Sequence, residues 1–253
     1  MTTSEALSIY CIRIADNAVI LAHRLSEWSG HAPILEEDIA MSNMALDFIG
    51  QAQGFYTYAG KLEGKGRTED DFAYHRDTRE YTNCFLVEQP NGDFASTMLR
   101  SFFYCSFAYL QFKALTKSKD ETISGLAEKS LKEIIYHVRH SSDWMIRLGD
   151  GTDESHRRAQ NAVDDLWSYT HELFDMNEVD TLLMQEGVAF ELAALRSEWD
   201  LMVEEVFAKA TLKKPAPGGY QSKGGIIGLH SEHLGYILAE MQALPRMYPD
   251  AKW

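Results

Sequence analysis

The sequence predicts an all-α fold, a bundle of long helices, and three observations predict it. Apolar residues recur at steps of three and four along most of the chain, the period of one buried helical face. Only six prolines interrupt 253 residues, which leaves long stretches free of a helix breaker. No run of alternating apolar and polar residues is long enough to build a sheet. A chain of this length lies near the upper limit for one continuous core, so a single domain (1–253) with an appendage is expected.

Taken in order, Leu7, Cys11, Ile14, Ala18, Leu21, Leu25 and Trp28 form the stripe of a first helix ending near Ser29-Gly30. A second opens at Pro33, a residue suited to a first helical turn. It carries Ile34, Met41, Phe48, Phe55 and Leu62 at intervals of seven, with Ala45, Ala52 and Ala59 four residues after the middle three. Such a helix is a rod about 45 Å long, and its alanines let a neighbour approach closely. A polar, irregular segment follows from Gly64 to about Asn91. The third helix runs from about 93 to 115, and the fourth from about 119 to 148, ending at Gly149-Asp150-Gly151. These four make a core over about 5–149. Added helices occupy about 152–211: one capped by Thr152 with Ala159, Val163, Leu166, Thr170 and Leu173 in register, a short one at 178–185, and one with Leu192, Leu195, Trp199, Met202, Val206 and Ala210. A linker over about 212–229 begins Lys213-Lys214-Pro215-Ala216-Pro217, and a terminal helix covers about 230–243.

Composition narrows the function. A net charge of −14 argues against a general nucleic-acid partner, since phosphate binding needs clustered Lys and Arg. Cys11, Cys84 and Cys105 lie in apolar surroundings and read as reduced core thiols, which suits the cytosol. The N-terminus lacks the basic lead of a signal peptide. The aromatic-rich run Phe102 to Leu110 is too short to span a bilayer. A soluble, cytoplasmic protein is expected. Fingerprints for nucleophile elbows, phosphate loops, redox Cys pairs and dinucleotide binding are all missing.

Helical bundles that activate oxygen carry Glu-x-x-His on each of two helices, and a Glu from each of two others. That spacing sets carboxylate and imidazole one turn apart on one face. All nine histidines fail the test: the residues three before them are Ile20, Trp28, Phe72, Ile134, His137, Asp153, Ser168, Ile227 and His230. Glu133 and His137, beside Tyr136 and His140, stand four apart and could share a ligand, but a buried histidine bonded to a carboxylate is the plainer reading. His230, Glu232 and His233 open the last helix, where capping and surface polarity explain them. Asp153-Glu154-Ser155-His156 suits a helix start. Glu37, Met44, Gln51 and Tyr58 share one row of the second helix, where a carboxylate needs a partner such as Arg13 or Arg24. A metalloenzyme with atypical ligands would need at least four of Glu37, Asp47, Glu133, His137, His230 and His233 to converge. Lys213, Lys214 and Lys223 make the linker locally basic, able to meet an anion or an acidic surface, or simply solvated.

Several segments together carry a family resemblance: Ala15-Asp16-Asn17, Glu27 to Pro33, Leu46 to Ala52, Leu86 to Gly92, Lys132 to His137 and Gly228 to Gly235. Over nearly its whole length the chain resembles the PaaC family, the C-type subunits of the bacterial ring 1,2-phenylacetyl-CoA epoxidase. The resemblance implies a ferritin-like fold with additional C-terminal helices, paired with a homologous A-type subunit that holds a di-iron centre. It implies further epoxidase subunits, including a reductase, and neither a nucleic-acid nor a membrane partner. In the catalytic homologue's register, Phe48-Ile49-Gly50-Gln51 and Ile134-Ile135-Tyr136-His137 stand where Glu-x-x-His is required. An apolar residue cannot replace a bridging carboxylate, so no metal, no cofactor and no catalytic residue is expected in this chain. By the same resemblance, Glu80, Tyr81, Thr82 and Asn83 beside Arg79 touch the acyl-CoA, as do Thr181, Leu182 and Leu183. A helical scaffold with no link to acyl-CoA remains the third reading.

Overall fold

A computed structural model describes residues 1–216, 218–249 and 251, and the fold is all-α, in the class of ferritin-like bundles. In chain order the helices are α1 (Thr3–Ser26), α2 (Leu35–Glu63), α3 (Glu69–Tyr74), α4 (Phe85–Glu88), α5 (Phe94–Leu115), α6 (Glu121–Gly149), α7 (Asp153–Leu166), α8 (Glu178–Gln185), α9 (Arg196–Lys209), α10 (Glu232–Met241) and α11 (Ala243–Met247). The described residues contain no strand. They divide into two compact units, residues 1–90 with those from 224 onward, and residues 91–223.

In the first unit α1 and α2 form an antiparallel hairpin. Ser8 Oγ donates to the Ala59 carbonyl and Ser4 Oγ to that of Leu62, each at 3.2 Å. Small buried residues on both rods, Ala15, Ala18 and Ala22 on one and Ala45, Ala52 and Ala59 on the other, permit that approach. α1 begins at a capping box between Thr2 and Glu5. By length and composition it could cross a membrane, but 72% of its apolar window is buried in the fold. It is a core helix. α2 starts two residues after Pro33 and ends at Gly64, whose φ of +67° a side chain would resist. The segment expected to be irregular holds α3, a 3-10 turn at Thr78–Glu80, and α4.

In the second unit α5 and α6 are joined by a tight turn, with Asp93 and Asp120 accepting from Ser96 N (3.0 Å) and Ile123 N (2.9 Å) as N-caps. Phe94 meets Trp144 edge-to-face at 4.9 Å, pairing the start of α5 with the end of α6. Trp199 of α9 is fully buried among Phe103, Trp167 and Phe174 and donates its indole N–H to the Phe103 carbonyl at 3.1 Å. α7 does not continue through Thr170 and Leu173 as the stripe predicts. It tightens at Trp167–Tyr169 and His171–Phe174 into 3-10 turns, yet both residues stay buried. The helix containing Leu192 likewise starts as a 3-10 turn before α9. The basic stretch is pinned: Lys214 Nζ donates to Glu204 at 2.7 Å, and Gln160 accepts from Lys213 N at 2.9 Å.

Candidate functional site

Asp16 lies on α1 away from the stripe of Leu7, Ile14 and Leu21, yet it is fully buried. A carboxylate there needs compensation for lost water. Arg76 supplies charge, donating to both carboxylate oxygens. Tyr56 of α2 donates its hydroxyl at 2.6 Å. Thr82 adds its backbone N–H at 2.7 Å and its hydroxyl at 3.0 Å. Burial would depress the Arg76 pKa, but Asp16 and the neighbouring tyrosines more than reverse it. Burial, then the charge of Asp16, pushes the Tyr56 hydroxyl upward. Next along the chain, Asn17 Oδ1 accepts from Cys84 N at 2.9 Å. The dipeptide Asp16-Asn17 therefore fixes the backbone from Thr82 to Cys84.

A second buried carboxylate grips the same segment. Glu88, at the end of α4 and fully buried, accepts from Asn83 Nδ2 (3.1 Å) and Ser231 N (2.7 Å), and pairs with His230 Nδ1 (3.0 Å). The other ring nitrogen, His230 Nε2, lies 2.9 Å from the Tyr81 carbonyl. A carbonyl and a carboxylate only accept, so both contacts are satisfied together when both ring nitrogens carry a proton. Burial would lower the His230 pKa, but the hydrogen bonds to Glu88 and the Tyr81 carbonyl outweigh it and raise it above 6.5. Arg24 donates to the Glu88 carbonyl from Nη2 at 2.8 Å.

Of the residues expected to touch acyl-CoA, Tyr81 and Asn83 have buried side chains, Thr82 is half-buried and Glu80 is exposed. Tyr81 packs its ring against the Arg76 guanidinium at 4.1 Å and donates its hydroxyl to the Ala73 carbonyl. The outward edge of the segment is thus Arg79, Glu80 and part of Thr82. The second stretch belongs to the other unit, on α8, where Thr181 is exposed, Leu182 half-buried and Leu183 buried. The short helix is capped by Asn177, which accepts from Val179 N at 2.9 Å.

The metal candidates also divide between units. Glu37 is buried in the first turn of α2 with Asp47 half-buried further along, and His230 and His233 belong to the same unit. Glu133 and His137 lie on α6 of the other, His137 fully buried. Among the described residues no group of three or more His, Cys, Asp or Glu could hold a metal ion. Phe48 and Ile134, at the positions where the resemblance requires carboxylates, are fully buried hydrocarbon. These residues do not fit a di-iron centre. His156 does serve structure, its Nδ1 lying 2.7 Å from the Gly149 carbonyl. His230 departs from the surface role expected of it, because Glu88 and Tyr81 draw its ring inward.

In the sequence, Asp16 and Glu88 stand out only as parts of longer segments. Asp16 lies off the apolar stripe of α1, so the spacing alone does not mark it as buried. Partners 60 and more residues apart leave no local trace.

The family model described as "Phenylacetic acid catabolic protein" matches residues 1–253. The chain is also 44% identical over 247 residues to the C-type subunit of 1,2-phenylacetyl-CoA epoxidase from Escherichia coli (strain K12), and the match covers 98% of this chain and 99% of that relative.

Proposed function

Since the chain belongs to the phenylacetic acid catabolic protein family, we propose that it is the non-catalytic C-type subunit of a phenylacetyl-CoA ring epoxidase. The observation that carries the reading is hydrocarbon at two positions where the catalytic homologue needs carboxylates: Phe48 and Ile134, both without exposed surface. The di-iron centre and the oxygen chemistry belong to the partner, and electrons reach it through a separate reductase. This chain's part is to pack against that partner and to present the edge at residues 79–83 to the acyl-CoA, with the α8 stretch at 181–183 as a second contact. A cytoplasmic home agrees with three buried cysteines that form no disulfide.

A protein partner also accounts for the surface of α2. Leu35, Ile39, Leu46 and Ile49 recur at helical spacing and are 72%, 53%, 64% and 42% exposed. Isolated exposed apolar residues are ordinary, but an aligned strip of four marks a surface that another protein covers. We assign it to the catalytic homologue.

The test is co-expression of this chain with the catalytic homologue, followed by mass measurement of the complex and turnover assays. A stable complex should turn over phenylacetyl-CoA while this chain with reductase alone does not. Robust turnover by the isolated chain would refute the reading, and failure to co-purify would favour the unrelated scaffold.

A further inference from the structure

The segment assigned to the acyl-CoA is not held by its own helix. It is clamped by a part of the chain about 150 residues away. Gly228 crosses so close to the 3-10 turn at Thr78–Glu80 that a Cβ there would sit 2.3 Å from the Arg79 carbonyl oxygen, and its φ of +75° also suits glycine alone. Two residues later His230 enters, its side chain 1% exposed, and bridges the Tyr81 carbonyl to Glu88. Glu88 in turn binds Asn83 and the Ser231 N–H. Beyond α10, Gln242 Nε2 donates to the carbonyls of Arg76 (3.0 Å) and Ala73 (3.2 Å), and Arg246 reaches Asp77 at 3.1 Å.

We infer that His230 is a positioning residue for the acyl-thioester: with Glu88 it sets the backbone of Tyr81 to Asn83, so that residues 228–246 act as a clamp behind the substrate-facing edge. The inference rests on the reading that this edge touches the acyl-CoA. His230 itself touches no substrate. Its two rigid ring nitrogens span a fixed gap between a carbonyl of the segment and the carboxylate that holds the segment's asparagine. Two charge-assisted hydrogen bonds meet on one ring. A glutamine offers its two N–H donors from one neutral nitrogen, so it reproduces neither the span of the two ring nitrogens nor their charge.

The experiment uses the assembled epoxidase complex with wild-type chain, His230→Gln and the isosteric Glu88→Gln. Steady-state turnover with phenylacetyl-CoA is measured together with amide hydrogen exchange of residues 79–89, with and without that substrate. Either variant should raise KM by about fivefold to tenfold, with kcat within about twofold, because a loosened segment weakens ground-state binding without touching the reacting atoms. Exchange in 79–84 should quicken. Should one variant fail to fold, the other is read by the same criteria. Slower kcat at unchanged KM would overturn the positioning role, as would unaltered exchange. In the wild-type complex, substrate should slow exchange in 79–84. Absence of that protection would sink the underlying thioester reading, whereas protection with KM unmoved in the variants would sink the clamp alone.

Discussion

Two carboxylates in the first unit, Asp16 and Glu88, are excluded from water and each is fully matched by donors. Removing one member of such a pair leaves the other buried and uncompensated, which typically costs about 3–5 kcal/mol. Arg76→Met should therefore lower the unfolding free energy by roughly that amount, read from urea denaturation. Two histidines of this unit, His23 and His230, make opposite pH predictions. His23 is pushed down to about 4 by burial. Its neutral form is the folded one, so stability is whole above its ordinary 6.5 and declines as pH falls towards about 4. His230 is raised. Its contribution is whole below 6.5 and is lost as pH rises through its folded value. The stability gap between wild type and His230→Gln should shrink as pH is raised, and urea midpoints at several pH values will check it. A gap that widens with pH would contradict the doubly protonated ring.

Among the elements, the long helices carry their own signals and the short ones do not. Capping acids, glycine stops and apolar stripes place α5, α6 and α8 to within a residue or two, because those signals are local. α3, α4 and the 3-10 turn at Thr78–Glu80 look irregular in the sequence. Six, four and three residues cannot hold helical shape alone; Asp16, Glu88 and the 228–246 clamp impose it from afar. The close crossing of α6 and α9 is similarly non-local. A Cβ on Gly149 would lie 2.2 Å from the Ala210 carbonyl oxygen. Gly149→Ala should cost about 1–3 kcal/mol, measured by thermal or urea unfolding. On α2 the paired change Ile39→Asp with Leu46→Asp should abolish co-purification with the catalytic homologue while leaving helical circular dichroism intact. Retained complex formation would show that the strip faces solvent in the assembly.

For the whole molecule, the proposed function rests on what the sequence lacks at its histidines and on what it buries at Phe48 and Ile134. The all-α class is legible in spacing alone, and so is the missing Glu-x-x-His on every histidine. The resemblance points to residues 80–83, but not to how they are held, since Tyr81 and Asn83 face inward to satisfy buried charge. The role of His230 escapes the sequence because a helix start looks polar there, whereas in the fold it meets an acid 142 residues earlier. Hydrocarbon at Phe48 and Ile134 predicts a chain that supports oxygen chemistry without hosting it. The most direct test is the iron content of the isolated chain, expressed in iron-rich medium and measured by plasma mass spectrometry. Iron should stay far below one atom per chain, and two tightly held iron atoms per chain would contradict the account.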